Sequence, residues 1–188
     1  TAAVIDRLSV DGVVARYCRA DISDADDTAR LLRELGESGV PVKGIIHAAG
    51  VLVDGILLQQ DWDDFSRVFG PKVQGSANLH DCAEGLDLDY LVLFSSASAV
   101  LGSPGQANYA AANAFMDSLS HYRRSRDAPC LSINWGPWSD VGMAESIGGD
   151  RWSSGGVRKI DPTRGMELLE AGLSSASAQL VVIPVEWS

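Results

Sequence analysis

The run LDYLVLFSS, residues 88 to 96, restricts the fold more than any other feature of this chain. Tyr90 through Phe94 are apolar without alternation, so neither face of a strand built from them can be left in water. Such a strand belongs in the middle of a parallel sheet covered on both sides. Parallel neighbours need long crossover connections, which normally means helices. The rest of the sequence supplies them. TAAVIDRL reads as the tail of a helix and GVVARYCRAD, residues 12 to 21, as a strand. SDADDTARLLRELGESG follows as a helix with a Ser/Asp-rich cap and Gly39 near its stop. VKGIIHAAG is a short strand entering a small-residue turn, and residues 61 to 85 read as one long helix with an internal Gly-Pro. Tyr109 to Arg124 is helical, APCLSINWG a strand, TRGMELLEAGL a helix and QLVVIPVEW a last strand. This alternation predicts an α/β, Rossmann-like, doubly wound parallel sheet.

The 188 residues fit one domain, 1–188. Apolar residues are 46% and charged residues 21%, the balance of a soluble globular chain. No apolar run approaches the length of a membrane span, and no basic-then-apolar leader precedes it. Cys18, Cys82 and Cys130 are odd in number and lack metal-ligand spacing, so they read as reduced thiols of a cytoplasmic protein with no metal. A net charge of −10 argues against a nucleic-acid partner.

In open parallel sheets, ligands bind beyond the carboxyl ends of the strands. Four expected ends carry unusual residues: Asp21; Ala48, Ala49 and Gly50; Ser95 and Ser96; and Asn134 through Pro137. The small residues at 48 to 50 let a flat ligand approach, although a tight turn alone would also need them. Tyr109 and Asn113 fall one helical turn apart on one face. A phenol with a pKa of about 10 is a poor acid at neutral pH unless its anion is stabilised. A nearby ammonium, for which Lys72 is the candidate, provides that by opposite charge. Ser96 can donate to a carbonyl oxygen, and Asn113 can hold a water or the lysine. Together they can protonate an oxygen while hydride arrives on the adjoining carbon. Singly, each has a bland alternative: a packing tyrosine, a solvated lysine, a strand-end serine.

HAAGVLVDG, FGPKVQGSANLH, YLVLFSSASAVLGSPGQANYAAANAF and SINWGPWSDVGMA closely resemble the ketoreductase domains of modular polyketide synthases, within the short-chain dehydrogenase/reductase superfamily. The likeness runs from about Asp21 to Trp187. Most of that superfamily uses Tyr-x-x-x-Lys with an asparagine from an earlier helix. The ketoreductases exchange the two, as here, where Asn113 follows Tyr109 and Lys72 lies earlier. The interval of 13 from Ser96 to Tyr109 also matches.

The resemblance implies a β-ketoacyl reductase using NADPH, with Tyr109 as proton donor and Ser96 orienting the β-keto oxygen. Lys72 would lower the phenol's pKa and bind near the nicotinamide ribose, and Asn113 would support the proton relay. Asp21, Ala48, Ala49 and Gly50 would line the adenosine part of the site, and Asn134, Gly136 and Pro137 the nicotinamide. Residues from about 139 to 159 would form a lid over the substrate. The implied partners are an acyl carrier protein bearing a phosphopantetheine-linked β-ketoacyl chain and the rest of the synthase. Asp54, Pro104 and Asn108 match the subtype that gives a D-configured hydroxyl. Val53 departs from its Leu-Asp-Asp triplet, and Leu101 stands where the opposite subtype has tryptophan.

The sequence contains no Gly-x-Gly-x-x-Gly fingerprint. In the resembled family that loop comes first, and two strands lie between those of residues 12 to 21 and 42 to 50. The expectation is therefore a chain lacking the first strands and glycine-rich loop, a fragment that binds cofactor poorly by itself. Two non-enzymatic alternatives are a structural Rossmann-like half of the synthase and a carrier-protein interaction fragment. The intact Tyr/Ser/Lys set counts against the first. A different short-chain reductase or epimerase is disfavoured by asparagine after Tyr109. HYRRSR, residues 121 to 126, interrupts the acidic balance. It is either a solvated helix end favoured by the helix dipole or a dock for an acidic carrier protein.

Overall fold

The computed structural model describes residues 5, 8, 13–140 and 156–186. Four strands form one parallel sheet in sequential order: β1 (Gly44–His47), β2 (Tyr90–Ser96), β3 (Leu131–Trp135) and β4 (Gln179–Val182). The helices are α1 (Ala25–Gly36), α2 (Trp62–Phe69), α3 (Gly75–Cys82), α4 (Ser98–Leu101), α5 (Ala107–Arg124) and α6 (Pro162–Leu173).

β2 is buried on both faces, as its unbroken apolar run requires. Leu91 and Leu93 pack with Met116 and Leu119 of α5, whereas Val92 packs with Ile133 of β3 and Leu169 of α6. Helices thus cover both sides of the sheet, with α5 on one and α6 on the other. β3 alternates similarly, but only its α6 face is apolar, through Leu131, Ile133 and Trp135. Its other face presents Ser132 and Asn134, both fully buried.

Caps fix several helix starts. Asp24 accepts from the Asp27 amide at the start of α1. Asp61 and Asp64 form a reciprocal capping box at α2. Asp161 accepts from the amides of Thr163 and Arg164 at α6. Gly39 holds φ at +78°, the left-handed region where a side chain is strained, and so ends the loop after α1.

Two expectations change. Residues 13–21 form no strand, because a strand exists only through its ladder and none of the four described strands pairs with this segment. Val14 and Tyr17 project outward from it. The expected single helix over 61 to 85 is α2 and α3 joined by a π turn, Gly70–Gln74. Pro71 lacks an amide hydrogen, and the chain meets this by widening one turn instead of breaking. That widened turn carries Lys72.

Candidate active site

The carboxyl end of β2, the start of α5 and the π turn converge. Lys72 is buried, 2% exposed, and its Nζ donates a 3.0 Å hydrogen bond to the Phe94 carbonyl. The same Nζ lies 5.2 Å from the centroid of the Tyr109 ring, a cation–π arrangement. Burial pushes the ammonium down to about 8, opposed by the charge of Asp117. Tyr109 is itself buried. Burial holds its phenol above the usual value, while the polar side chains of Asn113 and Ser96 pull it down and the Asp54 charge pushes it up. The net shift is upward, opposite to the lowering expected from Lys72. The ammonium lies against the ring and is bonded to Phe94 instead of the phenol oxygen.

Ser96 Oγ receives two hydrogen bonds from Ser98, 3.2 Å from its amide and 3.0 Å from its hydroxyl. Both arrive at Ser96 as acceptor, so its own hydrogen is available for donation. Asn113 is fully buried. Its Nδ2 donates to the Tyr109 carbonyl at 2.7 Å, and its Oδ1 has no hydrogen-bond partner among the described residues. His47, at the end of β1, is also buried with its Nε2 unpartnered among them. Burial and the Lys72 charge push its imidazole down to about 4, against a hydrogen bond to the Pro71 backbone.

The loops before α2 and α5 are stitched together beside Tyr109. Gln106 Nε2 donates to Asp54 Oδ1 at 3.1 Å, and the Gly55 amide donates to the Gly105 carbonyl at 2.9 Å. Asn108 Nδ2 donates to the Val53 carbonyl at 2.9 Å, and its Oδ1 accepts from the Tyr109 amide at 2.7 Å. Asp54 and Asn108 therefore belong to one clasp, and Pro104 lies at the exposed turn leading into it.

The remaining expected residues lie farther out or point inward. Asp21 is exposed, and its carboxylate accepts from the Ser23 amide and hydroxyl before α1. Ala48 and Ala49 are exposed and Gly50 half-buried after β1. Asn134 is fully buried, its amide committed to Ser95, Ser96 and Asp117. Gly136 and Pro137 are buried, tied to Val182 and Ile160 through the backbone. Of the expected lid, residues 141–155 lie outside the described residues. Arg123 does not belong to a solvated helix end: it is 4% exposed, bonded to His80 Nδ1 at 2.8 Å. Sequence reading missed His47, Ser98, Gln106 and Asp117. Only Ser98, two residues beyond Ser96 in SSAS, carried a local signal.

A parallel α/β sheet with a tyrosine, a serine, a lysine and an asparagine around the end of one central strand defines a Rossmann-like fold of the short-chain dehydrogenase/reductase type. The family model described as the KR domain matches residues 1–140, and the chain belongs to this family of polyketide synthase ketoreductase domains. It is 40% identical over 174 residues to a phenolphthiocerol/phthiocerol polyketide synthase from Mycobacterium tuberculosis, covering 93% of this chain and 8% of that protein. Against polyketide synthase GfsA of Streptomyces halstedii it is 37% identical, covering 97% of this chain and 2% of that one. The chain thus spans a small part of these relatives. Among solved structures, an A-type ketoreductase from a modular polyketide synthase superposes with a TM-score of 0.92 at 33% identity, covering 99% of this chain and 39% of that one. The first ketoreductase of the tylosin synthase gives 0.90 at 32%, covering 99% and 40%. No described helix is long and apolar enough to cross a membrane.

Proposed function

We propose that this chain carries the catalytic site of an NADPH-dependent β-ketoacyl reductase, acting on an acyl chain held by a carrier protein during polyketide assembly. The observation that carries the proposal is the gathering of the buried Tyr109, Asn113 and Lys72 and the half-buried Ser96 from three separate elements into one cluster. Ser96 and Tyr109 are two hydroxyl donors for one ketone oxygen. Burial keeps the phenol protonated, and the Lys72 charge must offset that rise for the proton to leave as negative charge grows on the ketone oxygen. As the carbonyl carbon is reduced, negative charge grows on the oxygen, and the proton passes to it from Tyr109. Lys72 then stabilises the phenolate left behind, and Asn113 Oδ1 accepts the water or hydroxyl through which the proton is restored.

The donor set fits a nicotinamide ribose. A buried ammonium against the Tyr109 ring, with the unpartnered Asn113 amide oxygen on the same helix as that tyrosine, would suit ribose hydroxyls, with Lys72 as donor. When bound, the nicotinamide supplies the hydride. Asp21 and residues 48 to 50 would hold the adenosine end. A D-configured product is favoured by Asp54, Pro104 and Asn108, of which Asp54 and Asn108 share the clasp at Tyr109. Two solved relatives are A-type ketoreductases, so backbone likeness does not carry that stereochemical reading.

The test is Tyr109→Phe in the polypeptide that bears this domain, assayed on a β-keto thioester. The expected result is a loss of kcat of about a hundredfold or more, with the fold retained. Full activity would refute the proton-donor role. NADPH against NADH, and chiral separation of the alcohol, check the finer parts. Carrier docking at the end of α5 is tested by charge reversal at Arg124 and Arg126, leaving the buried Arg123 untouched. Turnover of carrier-bound ketone should fall while that of a free ketone stays constant.

A further inference from the structure

Asp117 is a buried acid with no part in the proton transfer. It lies on α5 one turn beyond Asn113, 7% exposed. Its two oxygens are both occupied: Oδ1 accepts from the Ser132 hydroxyl at 2.5 Å, and Oδ2 accepts from Asn134 Nδ2 at 2.8 Å. Asn134 continues the chain. Its Nδ2 also donates to Ser95 Oγ at 2.9 Å and to the Ser96 carbonyl at 3.1 Å, and its Oδ1 accepts from Gln179 Nε2 at 2.8 Å. Ser95 Oγ in turn donates to the Asn113 carbonyl at 3.3 Å.

The arrangement is costly unless every member is satisfied, because a buried polar group left unpaired loses its hydration without return. An apolar face on β3 would pack against α5 without that risk, as the α6 face of the same strand shows with Leu131, Ile133 and Trp135. What apolar packing cannot supply is direction. The network fixes three things relative to one another: the backbone of Ser96, the neighbouring turn of α5 at Asn113, and the ends of β3 and β4.

Resting on the reductase reading above, we propose that Asp117 is a positioning residue for that reaction. Through Asn134 it holds the Ser95-Ser96 strand end in register with the helical turn that carries Tyr109 and Asn113. Its action is geometric; its charge also holds the Lys72 ammonium up, so the variants are compared at about pH 6, well below the Lys72 value of about 8. An asparagine at 117 keeps the geometry: its oxygen accepts from Asn134 while its amide donates to Ser132 Oγ, whose hydroxyl can turn to accept. An alanine removes both bonds and frees the Asn134 amide to rotate. Displacement of Ser96 or Tyr109 by an ångström is enough to lose about a hundredfold in rate.

The experiment compares Asp117→Ala, Asp117→Asn, Asn134→Ala and the double alanine variant in the full polypeptide, with circular dichroism and a thermal melt for each. Asp117→Ala should lower kcat on a β-keto thioester about tenfold to a hundredfold, with KM for substrate and cofactor within about twofold. Asp117→Asn should recover kcat to within about threefold, and the double variant should be no slower than the slower single one, since both act through one contact. If Asp117→Ala does not fold, Asn134→Ala carries the same kcat-against-KM test. Unchanged kcat in the alanine variants, or Asp117→Asn as slow as Asp117→Ala, overturns the proposal. Tyr109→Phe is run alongside: activity there would overturn the reductase reading itself, whereas an inactive Tyr109→Phe beside a fully active Asp117→Ala overturns only the positioning role.

Discussion

Lys72 lies over the ring of Tyr109, its Nζ 5.2 Å from the ring centroid, while it donates its 3.0 Å hydrogen bond to the Phe94 carbonyl. A buried ammonium with so little compensation loses its proton early, and its pKa is pushed down to about 8. Activity that needs the charged form should therefore decline as pH rises through about 8. Lys72→Met should lose kcat by about a hundredfold or more, with a melting temperature within a few degrees of the parent. The stability sign is fixed by the direction of the shift. The folded pKa lies below the ordinary lysine value of 10.5, so the unfolded chain binds more protons between the two, and the parent gains stability relative to Lys72→Met as pH rises from about 8 towards 10.5. A pH–rate profile and paired melts check both statements.

Ser98 decides what Ser96 can donate. Its amide and hydroxyl both point at Ser96 Oγ, at 3.2 and 3.0 Å, so the Ser96 hydrogen is directed elsewhere, toward the Tyr109 phenol whose pKa it lowers and, with substrate bound, toward the ketone. Ser98→Ala removes the hydroxyl donor and leaves the amide. It should lower kcat about threefold to tenfold, the worth of one neutral hydrogen bond, whereas Ser96→Ala should cost far more. Equal losses in steady-state kinetics would show that Ser98 acts on substrate directly instead of through Ser96.

Much of this was legible in the chain, and the reasons differ by residue. LDYLVLFSS announced a strand buried on both faces because hydrophobicity is a local property of the run, and Leu91/Leu93 against Val92 confirm it. Tyr109 and Asn113 were readable as a pair because helix geometry fixes their spacing. Orientation at strand ends was harder. Asn134 was expected at the cofactor, yet the period-two alternation of LSINW places it with Ser132, opposite Leu131, Ile133 and Trp135, and hence towards α5. The π turn was hidden because Gly-Pro signals a disturbance of the helix without saying whether it breaks or widens. Gln106 and Asp117 escaped because their partners, Asp54 and Asn134, are distant in sequence and meet only in the folded chain.

His47 should make the fold acid-sensitive. Its imidazole is buried beside Lys72 and pushed down to about 4, so the unfolded chain binds the extra proton between about 4 and the ordinary 6.5. Stability is then fully present above 6.5 and is lost as pH falls through that window, with about 2 kcal/mol gone by about pH 5. His47→Gln removes the titrating group. Its melting temperature should fall less than the parent's between pH 7 and pH 5, a difference of several degrees by calorimetry. Equal acid slopes would place the imidazole in water instead of the core.

Gly165 is the point at which the far face of the sheet is keyed to the site. A Cβ there would lie 2.3 Å from Trp138 Cη2 and 2.5 Å from its Cζ3, distances no rigid ring tolerates. Trp138 stands edge-on to Trp135, ring centroids 4.9 Å apart, and Trp135 lies 5.5 Å from Phe94, whose carbonyl holds Lys72. Gly165→Ala gains up to about 1 kcal/mol of helix propensity in α6, but displacing a packed indole costs about 1–3 kcal/mol. The clash should win because the obstacle is ring carbon and not the end of a flexible chain. The expected outcome is a lower melting temperature, a changed tryptophan emission and a reduced kcat, with melting temperature and kcat recovered together when Trp138→Leu is added, since the smaller side chain vacates the space that the new methyl group needs.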